Sequence, residues 1–596
     1  MTDVRKASSL SQVLRGHARS RPDEAAVIHI RVPDTDDGYD TLTYARLDRA
    51  ARGLAGRLRA ELGLVAGDRV LLQYPSGTEF PVAFFGCLYA GLITVPAPLP
   101  GRNRRERQRV KGIVRQGGIR AILTDEANHP AVSEWALTES LDDVPLLVTG
   151  GEGPSADDAV SYDDAVSYDD AVTLPGETAH PETPALIQYT SGSTSEPKGV
   201  VITHGNLLHN VAAMGESFHI APGTRHGGWI PLYHDMGLIG HLLTGVLLGR
   251  GVVTLNPITF VRRPHQWLRA IDRFDIGHSN APNFAYELCV QRITDEQIEG
   301  LDLSRWQYAI NGSEPVHAAT LREFTERFAP YGFRPDALVP CYGMAEATLY
   351  VSGSVRREPV TLVADAELLE KNVLAPAKGT RVTDPATREL VSCGELHDLA
   401  CRIVDPATGA ALEEGQVGEI WLNGPSVAKG YWDNEGATEE IFGATLEGER
   451  YLRTGDLGAL LDGELFITGR MKETLMINGR NLYPQDVEHE LRTQHAELAT
   501  LPGAAFTVVR RRGDRHEEAL VVTQEITGQL SDEEYARLAA DMKQTVSREF
   551  GLAVRGVALL RRGSVRRTTS GKIQRVAMRE LFLADALQPL YADWQD

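Results

Sequence analysis

The feature that most constrains this chain is the regular exchange of helix-spaced and strand-like apolar runs through its first third. Residues 44–62 (YARLDRAARGLAGRLRAEL) carry apolar side chains at helical spacing, and Asp68-Arg69 leads into the strand-like VLLQY. A helix is read at VAFFGCLYAG, a strand at LITVPA, a helix over 107–114 and a strand at AILTD. Strands separated by helices need crossover connections, so the pattern predicts βαβ units on a mostly parallel sheet, an α/β fold. At 596 residues the chain has room for several domain-sized cores.

Charge and cysteine usage exclude several functional classes. Against 61 Lys and Arg stand 81 Asp and Glu, a formal net charge of −20. So acidic a surface argues against general binding of nucleic acid or anionic membrane, and no nucleic-acid partner is expected. Five scattered cysteines (Cys87, Cys289, Cys341, Cys393, Cys401) form no C-x-x-C pair, which speaks against a disulfide framework or a zinc site. Two long apolar runs, 80–101 and 236–249, are read as core, with no stable membrane insertion expected. Pro96, Pro98 and Pro100 break the first, and the second is too short and holds Gly237, Gly240 and Gly245. The first residues lack the apolar stretch of a signal peptide, so a cytoplasmic location is expected.

Between residues 150 and 184 the periodicity stops. DDAVSY occurs twice in tandem, at 157–162 and 163–168, and the segment reads as a solvated linker, with order resuming at Ala185. Towards the C-terminus, GEIWLNG and ELFITG read as strands. They precede a compact βα pattern of TLMING, PQDVEHELRTQ, AAFTVVR, EALVVTQEI and a helix over 532–549. A boundary near residue 470 divides the chain into 1–470 and 471–596.

The segment 189–199, YTSGSTSEPKG, follows the apolar ALIQ and precedes VVITHGNL. Hydroxyl residues, two glycines and a lysine after a strand suit an anion-binding loop. Glycine lets backbone N–H groups approach phosphate oxygens, while the hydroxyls and Lys198 offset charge. It is not a Walker A loop, because no G-K-[ST] stands at the required spacing.

The ordered segment TSGSTSEPKGV resembles the signature loop of the adenylate-forming superfamily of acyl-CoA synthetases, luciferases and peptide-synthetase adenylation domains. Further motifs follow in that family's order: YGMAE (342–346), YLRTGD (451–456), Gly469-Arg470, and Lys572 in TTSGKIQR. The resemblance spans essentially the whole chain. It implies a large N-terminal domain of βα-layered subdomains and a small mobile α+β C-terminal domain. It also implies ATP and Mg²⁺ as cofactors and activation of a carboxylate as its adenylate.

Carried over position by position, the resemblance assigns Thr190, Ser191, Gly192, Ser193, Thr194 and Lys198 to the ATP phosphates. Tyr342, Gly343, Met344, Gly312 and Ser313 surround adenine, and Glu346 is the Mg²⁺ carboxylate. Asp456 takes the ribose hydroxyls, Arg470 the ribose or phosphate, and Lys572 the reacting carboxylate and α-phosphate. His234 is the gate between the ATP and acyl sites, and Lys472 the hinge that exchanges Lys572 for the 476–483 loop. Ser313 departs from the alanine of many relatives.

Finer texture in GWIPLYHDMGLIG (228–240), SNAPNFAYELCVQRI (279–293), INGSEPV (310–316), CYGMAEATLYVSG (341–353) and GRNLYPQDVE (479–488) resembles the fatty acyl-AMP ligases. That branch implies a fatty acid substrate and transfer to the phosphopantetheine thiol of an acyl carrier protein. No carrier motif follows in the sequence, so the carrier is expected in trans. In the branch an insertion after the Mg²⁺ glutamate restrains the C-terminal domain, and this chain has extra sequence at about 354–390. The acyl pocket is expected from 236–249 and 279–286. The alternatives are a fatty acyl-CoA ligase and a catalytically silent scaffold homologue.

Overall fold

The expected alternation is realised as two parallel-rich sheets with helices packed on them. The computed structural model describes residues 4–101, 104–150, 173–190, 197–353, 357–378, 386–477, 480–498, 500–512, 515–528, 530–568 and 571–594. A six-stranded sheet runs in the order Leu146–Thr149, Ala121–Asp125, Arg69–Gln73, Ile93–Pro96, Pro184–Tyr189, Gly199–Thr203. All its neighbours are parallel except the last pair, which is antiparallel.

A nine-stranded sheet lies in the order Glu395–Leu396, Tyr350–Gly353, Leu338–Gly343, Tyr308–Asn311, Ile276–Ala281, Arg225–Gly228, Val252–Leu255, Ala25–Ile30, Tyr39–Thr43. Its six central strands pair in parallel. Helices fall where expected: Tyr44–Ala60 starts on a Thr43 hydroxyl that accepts the Arg46 N–H, a side-chain cap. Glu79–Tyr89 is apolar all round and buried all round, with Phe80, Phe84 and Phe85 at most 1% exposed. Each such ring contributes about 1.5–3 kcal/mol by leaving water.

The run 236–249 is core, but not as a simple helix. Met236–Leu243 is a π-helix leading into the short helix Thr244–Leu247, with every side chain of both buried. The Ile239 carbonyl accepts both the Thr244 N–H, across the wide turn, and the Thr244 hydroxyl at 2.7 Å. Among the described residues no helix is long and apolar enough to cross a membrane.

One expectation needs adjustment. The DDAVSY repeat lies outside the described residues, but the second part of the expected linker is packed structure. Leu174 is buried, Pro175–Thr178 forms a 3₁₀ turn, and Glu177 pairs with the buried Arg52. An apolar side chain and a countercharge were present there, and the low local periodicity hid them.

Antiparallel strands follow the nine-stranded sheet: Ala400–Val404, Gly418–Asn423, Glu449–Leu461 and Glu464–Arg470 pair in sequence order, with the short Ala444–Leu446 on one edge. From residue 475 onward a separate four-stranded sheet (Gly503–Arg512, Arg515–Ile526, Val554–Arg561, Tyr591–Trp594) packs against helices Pro484–Gln494 and Asp532–Phe550. The extra sequence at 354–390 folds as the hairpin Thr361–Asp365 with Thr387–Val391 around the helix Ala366–Glu370. Its Leu362, Leu369, Leu374 and Leu390 share one cluster with Leu457, Phe466 and Tyr483.

Candidate active site

Four neighbouring parallel strands of the large sheet end together, at Gly228, Ala281, Asn311 and Gly343. The segments leaving them, 229–235, 282–284, 312–314 and 344–346, therefore converge outside the carboxyl edge, where open α/β sheets bind ligands. The strand Pro184–Tyr189 delivers Thr190 towards the same region, and Gln188 Nε2 donates to the Tyr233 carbonyl at 2.9 Å.

Tyr342 ends the strand that leads to Glu346. Gly343 has no alternative there, since a Cβ would stand 1.9 Å from the Leu349 carbonyl oxygen. Tyr342 is buried, and its hydroxyl donates to Asp456 Oδ2 at 2.7 Å. Asp456 and Arg470 are register partners across the antiparallel pair, and Arg470 Nε meets Asp456 Oδ1 at 2.9 Å. The carboxylate is thus gripped from both sides, and its charge raises the Arg470 guanidinium above its ordinary value. Burial pushes the Tyr342 phenol well up, so it stays a neutral donor.

Met344 lies beside this pair, its sulfur 3.8 Å from the Tyr342 hydroxyl. Gly312 approaches the neighbouring strand so closely that a Cβ would sit 2.8 Å from the Cys341 carbonyl oxygen. Ser313 follows with φ of 73°, a left-handed backbone that a non-glycine residue adopts only under constraint.

Glu346 is half-buried and accepts a hydrogen bond from the Tyr431 hydroxyl at 2.9 Å. Burial raises its carboxyl above the usual range, and Tyr431 opposes that rise. Asp235, next to His234, is within electrostatic reach of both Glu346 and Lys572. One half-buried carboxylate with a second close by suits Mg²⁺, which takes one or two carboxylates and completes its shell with phosphate and water.

At the phosphate loop, the Thr190 N–H donates to the Lys198 carbonyl at 3.1 Å, and Lys198 Nζ stands 4.9 Å over the Tyr431 ring. Tyr431 therefore links the loop's lysine to Glu346. Ser191, Gly192, Ser193 and Thr194 lie outside the described residues. His234 occupies the turn before the π-helix, its ring 4.9 Å from that of Tyr233.

Lys572 arrives from the C-terminal unit on a tight turn. Its N–H donates to Thr568 Oγ1 at 3.1 Å, and its carbonyl accepts the Thr568 N–H at 2.7 Å. The turn rests on Phe284, 3.5 Å from where a Gly571 Cβ would be. Around the ammonium stand Arg470 and the carboxylates of Asp235, Glu314 and Asp456. Burial and Arg470 lower the Lys572 pKa, and the three carboxylates oppose that.

Tyr342, the Asp456–Arg470 pair and Lys572, each more than a hundred residues from the next in sequence, thus meet in one place. Asp235, Glu314 and Tyr431 share it, although none of them was assigned a role from sequence, and so does Phe284, from the segment 279–286 expected at the acyl pocket. Asp235 and Glu314 sit inside motifs that the resemblance already marked. Tyr431, in AKGYWDN, had only its aromatic neighbours to announce it.

Comparison with known proteins agrees with this arrangement. The family model described as AMP-binding enzyme matches residues 14–432. The medium-chain-fatty-acid–[acyl-carrier-protein] ligase JamA of Moorena producens is 39% identical over 92% of this chain and 91% of its own. A long-chain-fatty-acid–AMP ligase of Mycobacterium marinum, FadD26, is 35% identical over 98% of each. The crystal structure of the fatty acid AMP ligase from Legionella pneumophila superposes with a TM-score of 0.73 at 33% identity, covering 100% of this chain and 99% of that one. The chain belongs to the AMP-binding enzyme family and, within it, to the fatty acyl-AMP ligases.

Proposed function

We propose that this protein activates a fatty acid with ATP and hands the acyl group to the phosphopantetheine thiol of an acyl carrier protein. A fatty acid carboxylate oxygen attacks the α-phosphorus, and the bond to pyrophosphate breaks as the acyl-adenylate forms. The carrier thiol, giving up its proton, then attacks the acyl carbonyl and AMP leaves. The observation that carries the reading is the convergence of Lys572 on the Tyr342–Asp456–Arg470 network.

The first step brings two anions together, so the chain's work is positioning and charge compensation. Asp456, already oriented by Tyr342 and Arg470, accepts the ribose hydroxyls. The Tyr342 ring and the closely approaching backbone of Gly312, Ser313, Gly343 and Met344 bound the adenine. Thr190, Ser191, Gly192, Ser193, Thr194 and Lys198 hold the β- and γ-phosphates. Glu346, with Asp235 near it, would hold Mg²⁺, which when bound offsets the charge of the departing pyrophosphate. Lys572 bridges the substrate carboxylate and α-phosphate, and His234 separates the ATP and acyl sites. The apolar run 236–249 and the segment 279–286 line the acyl pocket.

The second step uses the same site with a different catalytic face. The units 1–470 and 471–596 pivot at Lys472, withdrawing Lys572 and presenting the 476–483 loop. The insertion at 354–390 limits that swing and disfavours CoA as acceptor. It touches both sides, since its leucines share a cluster with Leu457 and Phe466 as well as Tyr483, and Arg388 lies 4.6 Å over the Phe550 ring.

The test is a mass-spectrometric acceptor assay with fatty acids of graded length, ATP and Mg²⁺. Acyl-adenylate with a loaded carrier and little acyl-CoA is the expected result. Efficient acyl-CoA formation would assign the CoA-ligase reaction instead, and no adenylate from any acid would revive the silent homologue. Full adenylation by a chain ending at Gly469 would contradict the role of Lys572.

A further inference from the structure

Glu314 stands at the centre of the seat on which the Lys572 turn rests. Its Oε1 accepts the Phe284 N–H at 2.7 Å, where the helix Asn283–Arg292 begins. Phe284 is the residue that the Gly571 turn packs against. The chain reaches Glu314 through the close approach at Gly312 and the left-handed Ser313, and Pro315 restricts it on the other side. Just beyond, His317 donates its N–H to Asn283 Oδ1 at 3.2 Å and stacks on His489 of the C-terminal unit, with centroids 4.5 Å apart. Together these contacts seat the Glu314 carboxylate beside the Lys572 turn, within electrostatic reach of its ammonium.

We propose, on the function given above, that Glu314 is a positioning residue for adenylation: its carboxylate is the fixed counter-charge that aims the Lys572 ammonium at the reacting groups. Asp235 and Asp456 also lie within electrostatic reach of that ammonium, but metal and ribose engage them during the reaction, and neither engages Glu314. Facing Glu314 are Glu287, Lys572 and Arg492, and burial lifts its carboxyl to about 7. At pH 8 it is mostly ionised and supports the lysine charge. Removing it lets burial and Arg470 lower the Lys572 pKa further.

Three measurements on Glu314→Gln test this. The adenylation kcat should fall about tenfold or more with KM for ATP little changed, while transfer from supplied acyl-adenylate stays near wild type. The alkaline limb of adenylation kcat/KM should move about one unit lower, the direction for a lysine that loses its anion. In a Lys572→Ala background the substitution should have no further effect. Equal loss in both half-reactions, an unmoved alkaline limb, or additivity with Lys572→Ala would overturn the inference. If the wild-type chain makes no adenylate, the function itself fails; if it does and Glu314→Gln matches it, only the role of Glu314 fails.

Discussion

The nucleotide side of the site and the catalytic lysine are built in opposite ways. Tyr342, Asp456 and Arg470 all sit on strands, the last two as register partners, and they satisfy one another at 2.7 and 2.9 Å. Lys572 sits on a turn between Thr568 and Ile573, carried by another sheet and resting on Phe284. Groups in a sheet register cannot leave without breaking its ladder, whereas a turn docked on a surface can. The contrast explains how one site could serve two reactions: the binding wall stays and the charge that drives the first step withdraws.

The largest effect expected from breaking this comparison comes at the wall. Asp456→Ala removes the acceptor of both Tyr342 and Arg470, so ATP binding should fail and unfolding should cost about 1–3 kcal/mol less. Calorimetry and nucleotide titration would measure both. Lys572→Ala should do the reverse, cutting adenylation about 100-fold or more with nucleotide affinity and melting temperature unchanged. A large drop in its melting temperature would mean that the turn belongs to the rigid part.

Intermediate in size is Gly343→Ala. Its Cβ would press on the Leu349 carbonyl, and moving that backbone displaces Tyr342, for a loss of about 1–3 kcal/mol measurable by denaturant titration. The smallest is Tyr431→Phe, which takes from Glu346 the donor that counters its raised pKa. The carboxyl then stays protonated to higher pH, so the acid limb of adenylation moves up and more Mg²⁺ is needed for half-maximal rate. A pH–rate series at several Mg²⁺ concentrations would show the shift.

The same contrast governs what was legible in the sequence. Strands and helices of the first third follow from apolar periodicity, because burial on a sheet or a helix stripe writes itself into residue spacing. Helix 44–62 ends at Ala60, and 532–549 extends to Phe550, where Gly551 takes a left-handed cap. The site was legible as ordered motifs, but not its cross-links. Nothing in AKGYWDN says that Tyr431 will reach Glu346, 85 residues away in sequence. Nothing in INGSEPV says that Glu314 will face a lysine from the far end of the chain. Such pairings come from tertiary packing, which leaves no local period. The π-helix was hidden likewise: Gly237 and Gly240 let Pro231, Asn280 and Leu349 approach closely, contacts that no local spacing announces.

The most direct test of the account is a single-turnover comparison of wild type and Lys572→Ala, each with a phosphopantetheinylated carrier. One set receives fatty acid and ATP, and the other receives preformed acyl-adenylate. Wild type should load the carrier in both, and Lys572→Ala should load it only from the preformed adenylate. Failure of Lys572→Ala in both sets, or success in both, would contradict a lysine that serves the first step and withdraws for the second.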